Sequence, residues 1–213
     1  MTTNQIVDIT TLFVLYNLSE LDLRNNQLVD IIPLTYIPHL TKLDLTNNQI
    51  SNIIPLVELT DLTELELSNN QITNISSLTN LDRLNVLYLN DNPLSDITPL
   101  ANLTNLRCLG LCGIPNLVWS GDRIADITPL ANLRNITELY LDHNVIVDIT
   151  PLSNLTNLTK LSLGFNLISD ISSLANLTNL TDLYLYGNPI SKVDIEDIIS
   201  EHPNCNIRFD AIR

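Results

Sequence analysis

One 22-residue pattern, L-x-x-L-x-L-x-x-N-x-[IL]-x-x-I-x-x-L-x-x-L-x-x, recurs eight times and opens at Leu18, Leu40, Leu62, Leu84, Leu106, Ile136, Leu158 and Leu180. Every step is 22 residues except the 30 from Leu106 to Ile136, which hold an eight-residue insertion at about 112–123. A short fixed period of this kind specifies a solenoid, because no single unit can bury its apolar face without a neighbour.

The spacing inside one unit says how it folds. In the stretch from Leu40 to Asn48, Leu43 and Leu45 alternate with Lys42, Asp44 and Thr46. That period of two predicts a half-buried strand with leucines inward. Successive strands can then lie parallel and in register. The asparagines after the strands (Asn26, Asn48, Asn70, Asn92, Asn144, Asn166 and Asn188) stand where the chain turns inward. A buried turn must satisfy its backbone groups, and an amide both donates and accepts. We expect these residues to form a ladder. The return limb carries Ile97, Leu100 and Leu103 and their equivalents three apart, which suits a tight helical turn. Thr-Pro at 98–99, 128–129 and 150–151 is expected to give that turn an N-cap and a first-position proline.

These residues resemble a leucine-rich repeat protein of the 22-residue type seen in bacterial internalins. The phrases Asn-Gln-Ile-Ser-Asn (48–52) and Asp-Ile-Thr-Pro-Leu-Ala-Asn-Leu-Thr-Asn-Leu (96–106) carry the likeness. A similar repeat occurs in the regulatory subunit of protein phosphatase 1. The resemblance implies an α/β-type curved superhelix with a concave parallel β-sheet and short helical turns on its convex side. It also implies a surface that binds another protein or peptide. The alternatives are a structural fragment of a larger bacterial surface or effector protein, and a phosphatase-regulatory type of subunit.

Composition narrows the partners. The formal net charge of −14 disfavours nucleic acid and anionic membrane, and mildly favours a basic protein. There is no run of 18 apolar residues and no basic start followed by an apolar run. The chain as given therefore reads as cytoplasmic, or exported by a route that needs no such signal. Three cysteines make no disulfide framework. Cys108 and Cys112 share one strand face, with Asp142 and His143 nearby in the next repeat. No close Cys or His pair supports a metal site, so none is expected. Three scattered histidines, and neither phosphate loop nor nucleophile elbow, give no reason to expect an enzyme or a cofactor.

What distinguishes this solenoid is written in the outward strand positions. The middle column reads Asp22, Asp44, Glu66, Tyr88, Gly110, Tyr140, Ser162, Tyr184. The column before it reads Glu20, Lys42, Glu64, Val86, Cys108, Glu138, Lys160, Asp182, and the column after it Arg24, Thr46, Ser68, Asn90, Cys112, Asp142, Gly164, Tyr186. The first three repeats are charged, whereas the later ones alternate tyrosines with small residues. Tyr88 and Tyr140 flank Gly110, with rings expected about 9.6 Å apart for strands spaced about 4.8 Å. That gap would admit one inserted side chain, and the gap over Ser162 another. Tyrosine is a rigid anchor enriched in hot spots. The candidate binding residues are therefore Tyr88, Gly110, Tyr140, Asp142, Ser162, Phe165, Tyr184 and Tyr186. Trp119 of the insertion joins them, although its apolar neighbours Ile114, Leu117 and Val118 equally suit a loop folded onto the rim. Asp122 stands where the fifth repeat lacks its turn asparagine, and could substitute for it.

The two ends read differently. A partial repeat is expected at 1–17, eight repeats at 18–190 and a C-terminal cap at 191–213. The cap should comprise an acidic helix at 194–201 and a final strand, with Ile195, Ile198, Ile199, Ile207 and Phe209 covering the last repeat. Counting back from Leu23 lands on Met1, so the sequence starts inside a repeat. Met1–Thr3 should pair only briefly with the first strand, and Phe13 and Tyr16 should fold over the exposed leucine stack. Self-association through this end, because uncovered strand edges pair with other chains, or fraying of roughly the first 17 residues is the expectation.

Overall fold

A computed structural model of the chain describes residues 5–115 and 120–210. Nine strands of three residues lie in one parallel sheet in chain order. They are β1 (Glu20–Asp22), β2 (Lys42–Asp44), β3 (Glu64–Glu66), β4 (Val86–Tyr88), β5 (Cys108–Gly110), β6 (Glu138–Tyr140), β7 (Lys160–Ser162), β8 (Asp182–Tyr184) and β9 (Asn206–Arg208). The central inward residues pair Leu21, Leu43, Leu65, Leu87, Leu109, Leu139, Leu161, Leu183 and Ile207 in sequence. Leu109 meets Leu139 directly, so the register continues across the insertion undisturbed. Each of β1–β7 is followed by a turn inward and by a short 3-10 return, for example Thr98–Leu100, stacked on the return before it. The leucine and isoleucine columns from both limbs merge into one continuous apolar core. No helix among the described residues is long and apolar enough to cross a membrane.

Buried asparagines close each turn against the backbone rather than against one another. Asn48 Nδ2 donates to Leu23 O and to Leu45 O, both at 3.0 Å, while its Oδ1 accepts from Leu28 N at 3.0 Å. The same three bonds recur at Asn70, Asn92, Asn144 and Asn166, and at Asn188 close to the C-terminal end. Asn26 likewise accepts from Ile6 N at 3.1 Å. The insertion breaks the series. Leu94 N, whose equivalents donate to the next turn asparagine, instead donates to Asn92 O at 2.8 Å, so Asp122 does not substitute there. A carboxylate has no N–H to give the two strand carbonyls, which is why it is a poor replacement.

The return turns correct the expected cap. The residue before each turn is an isoleucine, as at Ile97, and it makes no side-chain cap bond. Thr98 and Pro99 are the first two residues of the turn itself. The capping acceptor lies two residues before the turn: Asp96 Oδ1 accepts from Thr98 N at 2.9 Å, and Asp126 and Asp148 serve Thr128 and Thr150 at 2.8 Å. Threonine's own N–H is the group to be capped here, so the acceptor must come from upstream, and a carboxylate two residues earlier reaches back to it.

At the first turn, Thr10–Val14, only Ile9 is fully buried. Phe13 and Tyr16 are 58% and 61% exposed, so they form no lid. Three-residue spacing puts both on the outer side of this turn, away from Ile9 and Leu12. The expected pairing of Met1–Thr3 falls outside the described residues. At the other end the helix α1 (Lys192–Glu201) starts earlier than its acidic run, because Ser191 caps it by accepting from Asp194 N at 3.2 Å. Ile195 and Ile198 are buried against the last repeat, but Ile199 points outward, one residue being 100° of helix away.

Candidate concave binding face

The strand register brings the three outward columns onto one face in the order read from the sequence. Over β1–β3 that face is an ion-pair mesh around a shallow concavity of about 460 Å³. Arg24 reaches Asp22 at 2.8 Å and Asp44 at 3.2 Å, and Lys42 reaches Glu64 at 2.9 Å. The Arg24 hydrogen bond holds the Asp22 carboxyl below its ordinary value. Glu66 has no basic neighbour of that kind. Burial, and then the Asp44 charge, push its carboxyl up.

Over β4–β7 the tyrosines do not stand apart. The rings of Tyr88 and Tyr140 lie 6.5 Å centroid to centroid, tilted by 39°, so the expected slot over Gly110 is closed. Gly110 is buried beneath them, and a Cβ there would meet Tyr88 Cδ1 at 2.5 Å. The missing side chain thus lets the rings lean together, an arrangement more favourable than two isolated rings. Their hydroxyls are held as well. Tyr88 Oη lies 2.9 Å from Cys108 Sγ, and Tyr140 Oη donates to Glu138 Oε2 at 2.5 Å. Burial is the main cause that raises both phenols above their ordinary value, helped by Cys108 and Glu138 respectively. Lys160 Nζ sits 5.1 Å above the Tyr140 ring, and Arg208 stands 5.9 Å from the Tyr184 ring, distances typical of cation–π contacts.

The space over Ser162 is also filled. Ser162 is buried, and its Oγ donates to Asp142 Oδ1 at 2.7 Å; Gly164 N donates to the same oxygen at 3.0 Å. Cys112 Sγ lies 3.5 Å from Asp142 Oδ2, and burial followed by that carboxylate pushes its thiol up to about 12. A thiol so strongly protonated is a poor nucleophile and a poor metal ligand. Asn90, in the same column, accepts from Cys112 N at 2.9 Å rather than facing solvent unengaged.

Phe165 lies off this face, on the rim where the chain leaves the sheet. There its ring stacks on His143 at 4.5 Å and 4°. Both residues have positive φ, as do Asn25, Asn47, Asn69 and Asp91 at the equivalent turns. Tyr186 is half-buried beside it, with Phe165 N donating to Tyr186 O at 2.6 Å. Trp119 lies outside the described residues. The structure therefore gathers Tyr88, Gly110 and Tyr140 into one unit, Asp142 and Ser162 into a second, and Tyr184 with Arg208 into a third. Sequence reasoning passed over Glu138, Lys160 and Arg208. Glu138 and Lys160 were visible as in-register neighbours of the tyrosine column, but Arg208 sits on a strand that follows no repeat.

Known proteins agree with this architecture. Family models for Leucine Rich repeats (2 copies) match residues 38–83 and 156–200, and one for a Leucine Rich Repeat matches residues 17–36. Internalin C2 of Listeria monocytogenes is similar at 36% identity and a TM-score of 0.84, over 92% of this chain and 82% of that one. A second L. monocytogenes internalin shares 31% identity with a TM-score of 0.58, over 99% and 74% of the two chains. A leucine-rich-repeat protein of Leptospira interrogans superposes with a TM-score of 0.86 at 27% identity, over 97% of this chain and 53% of that one. No curated protein matches the sequence.

Proposed function

We infer the function of this chain from the premise that it belongs to the leucine-rich repeat family: it is a non-catalytic scaffold that holds a protein or peptide segment against its concave sheet. The observation that carries this reading is the Tyr88–Tyr140 pair, seated on Gly110 and tethered through Cys108, Glu138 and Lys160. A ring already fixed by its neighbours loses little freedom when a partner packs on it, which is the main advantage of a preorganised surface. Around that centre the ligand contacts fall to Tyr184, the Asp142–Ser162 unit and, at the rim, Phe165 and Tyr186. The acidic mesh over β1–β3 supports a partner that is basic at the corresponding end, since complementary charge steers encounter and fixes register.

Affinity capture with wild type and with a Tyr88→Ala/Tyr140→Ala/Tyr184→Ala variant tests the reading. Each lost anchor should weaken a captured partner by about 1–2 kcal/mol or more, as hot-spot truncations do. A partner retained by the triple variant but lost on Asp22→Asn/Glu66→Gln would move the anchors to the acidic end and overturn this assignment.

A further inference from the structure

The convex side of the first turns departs from the repeat in a way that concave binding does not explain. The residue that opens each return turn is Ser76, Thr98, Thr128, Thr150 or Ser172 in the later repeats. In the first two it is Ile32 and Ile54, 55% and 67% exposed. Tyr36 is exposed where Glu58, Asn80 and Asn102 follow, and Val29 where Ser51, Thr73 and Ser95 follow before Val147 returns an exposed valine to that column. Phe13 and Val57 are exposed in the first and third turns of a column whose second turn carries Thr35, and which continues as Thr79, Ala101 and Ala131. The three turns that carry them stack directly on one another, so these side chains form one patch. The fold does not need them, since polar residues hold the same positions elsewhere in the molecule. Contiguous exposed apolar surface of this kind marks interaction sites.

A second observation adjoins the patch. Beside Ile54 a cleft of about 160 Å³ opens between the third and fourth turns, lined also by Ser51, Asn52, Asn74 and Ser77. Ser77 is 9% exposed and its Oγ has no hydrogen-bond partner. Proline occupies the equivalent place at 33, 55, 99, 129 and 151, and the hydroxyl of Ser173 is bonded to Ile149 O at 3.3 Å. An unpaired buried hydroxyl is unfavourable until a polar group enters beside it.

Charge says what kind of partner fits. Residues 5–18, 27–40 and 49–62, which build these returns, contain Asp8, Asp30, Glu58 and Asp61 but no lysine or arginine; Asp61 is already paired with Arg83 of the next turn at 2.7 Å, which leaves Asp8, Asp30 and Glu58 as the acidic border. A second copy would set acidic border against acidic border, and an anionic membrane would be repelled in the same way. We propose that the convex face of the first three turns is a second docking surface, which takes an amphipathic helix of a partner protein with an apolar stripe bordered by lysine or arginine. Its apolar stripe covers Ile32 and Ile54, its basic borders meet Asp30 and Glu58, and a polar side chain at its edge enters the cleft at Ser77. Helix-in-groove recognition of this kind reads anchors spaced three and four apart.

The test uses the full chain and a labelled synthetic helix of leucines bordered by lysines, titrated by fluorescence anisotropy. Binding should weaken at least tenfold in Ile32→Thr/Ile54→Thr and in Tyr36→Asn, each of which installs the repeat's own residue. It should be unchanged in Asp148→Asn on the convex side of a later turn, where asparagine accepts the same bond from Thr150 N, and absent for the same helix bordered by glutamates. Circular dichroism confirms that each variant is folded, and the two convex variants make the result independent of either one. No binding of the lysine helix, or equal binding by both convex variants and wild type, overturns the proposal. So does loss of binding in Asp148→Asn. A wild-type dimer in sedimentation that Ile32→Thr/Ile54→Thr dissociates would assign the patch to a second copy instead.

Discussion

Asn70 holds three backbone groups at once, donating to Leu45 O and Leu67 O and accepting from Ile50 N, each at 3.0 Å. All three lie in the core side of the turn, where water cannot replace the amide. Asn70→Ala should therefore lower unfolding free energy by about 1–3 kcal/mol, the cost of orphaning buried partners. Asn90 makes one partly buried bond, to Cys112 N at 2.9 Å, so Asn90→Ala should cost measurably less. Urea denaturation of the two variants checks the order, and equal losses would contradict it. The buried column was legible from spacing alone because its job is fixed by the backbone. The engagement of Asn90, and the leaning of Tyr88 onto Tyr140, were not. Each depends on which side chain is missing or short in the next strand, Gly110 above all, and on torsions that a period does not encode.

The recurring element is a short strand, an inward turn and a capped 3-10 return, and its caps are ionisable in some repeats but not others. Asp96, Asp126 and Asp170 accept from the backbone of Thr98, Thr128 and Ser172, while Asn52 and Asn74 serve Ile54 and Ser76 in the same way. Hydrogen bonds from Thr98, Thr128 and Ser172, side chain or backbone, lower these three carboxyls below the ordinary 3.8. A lowered folded value means that the caps are at full strength above 3.8 and weaken as pH falls through the folded value. Asp96→Asn/Asp126→Asn/Asp170→Asn should keep near-wild-type stability at neutral pH, because asparagine accepts the same bond. Its thermal midpoint should then fall less than that of wild type between about pH 5 and pH 3. Parallel acid profiles would show that these caps do not carry the acid response. The strand and the return were readable as periods of two and three. The cap was misplaced because Thr-Pro resembles an α-helical start, whereas here an aspartate two residues upstream performs the capping.

Across the whole molecule, stability in a stack of this kind is close to a sum of unit and neighbour terms, so its two ends set where unfolding begins. The ends differ in what covers the last in-register leucine. Leu183 in β8 is buried beneath β9, with Ile195 and Ile198 of α1 packed behind. Leu21 in β1 remains only partly buried, and residues 5–17 give the first full repeat little more than Ile9, Leu12 and three bonds, Ile6 N to Asn26 Oδ1, Gln27 N to Ile6 O and Leu18 N to Leu15 O. Local opening needs free energy in proportion to the burial it undoes, so protection should be graded along the chain. Native-state hydrogen exchange should show residues 5–17 opening first, β1 next, and β3–β7 only near global unfolding. The β8–β9 end should stay closer to the centre than to β1. Replacing Ile195 by Ala ought to lower protection in β8 and leave β1 unchanged, since coupling in a solenoid runs through adjacent units. Protection of residues 5–17 equal to that of β4–β6, or loss of protection in β1 on Ile195→Ala, would mean that the stack unfolds as one cooperative block instead.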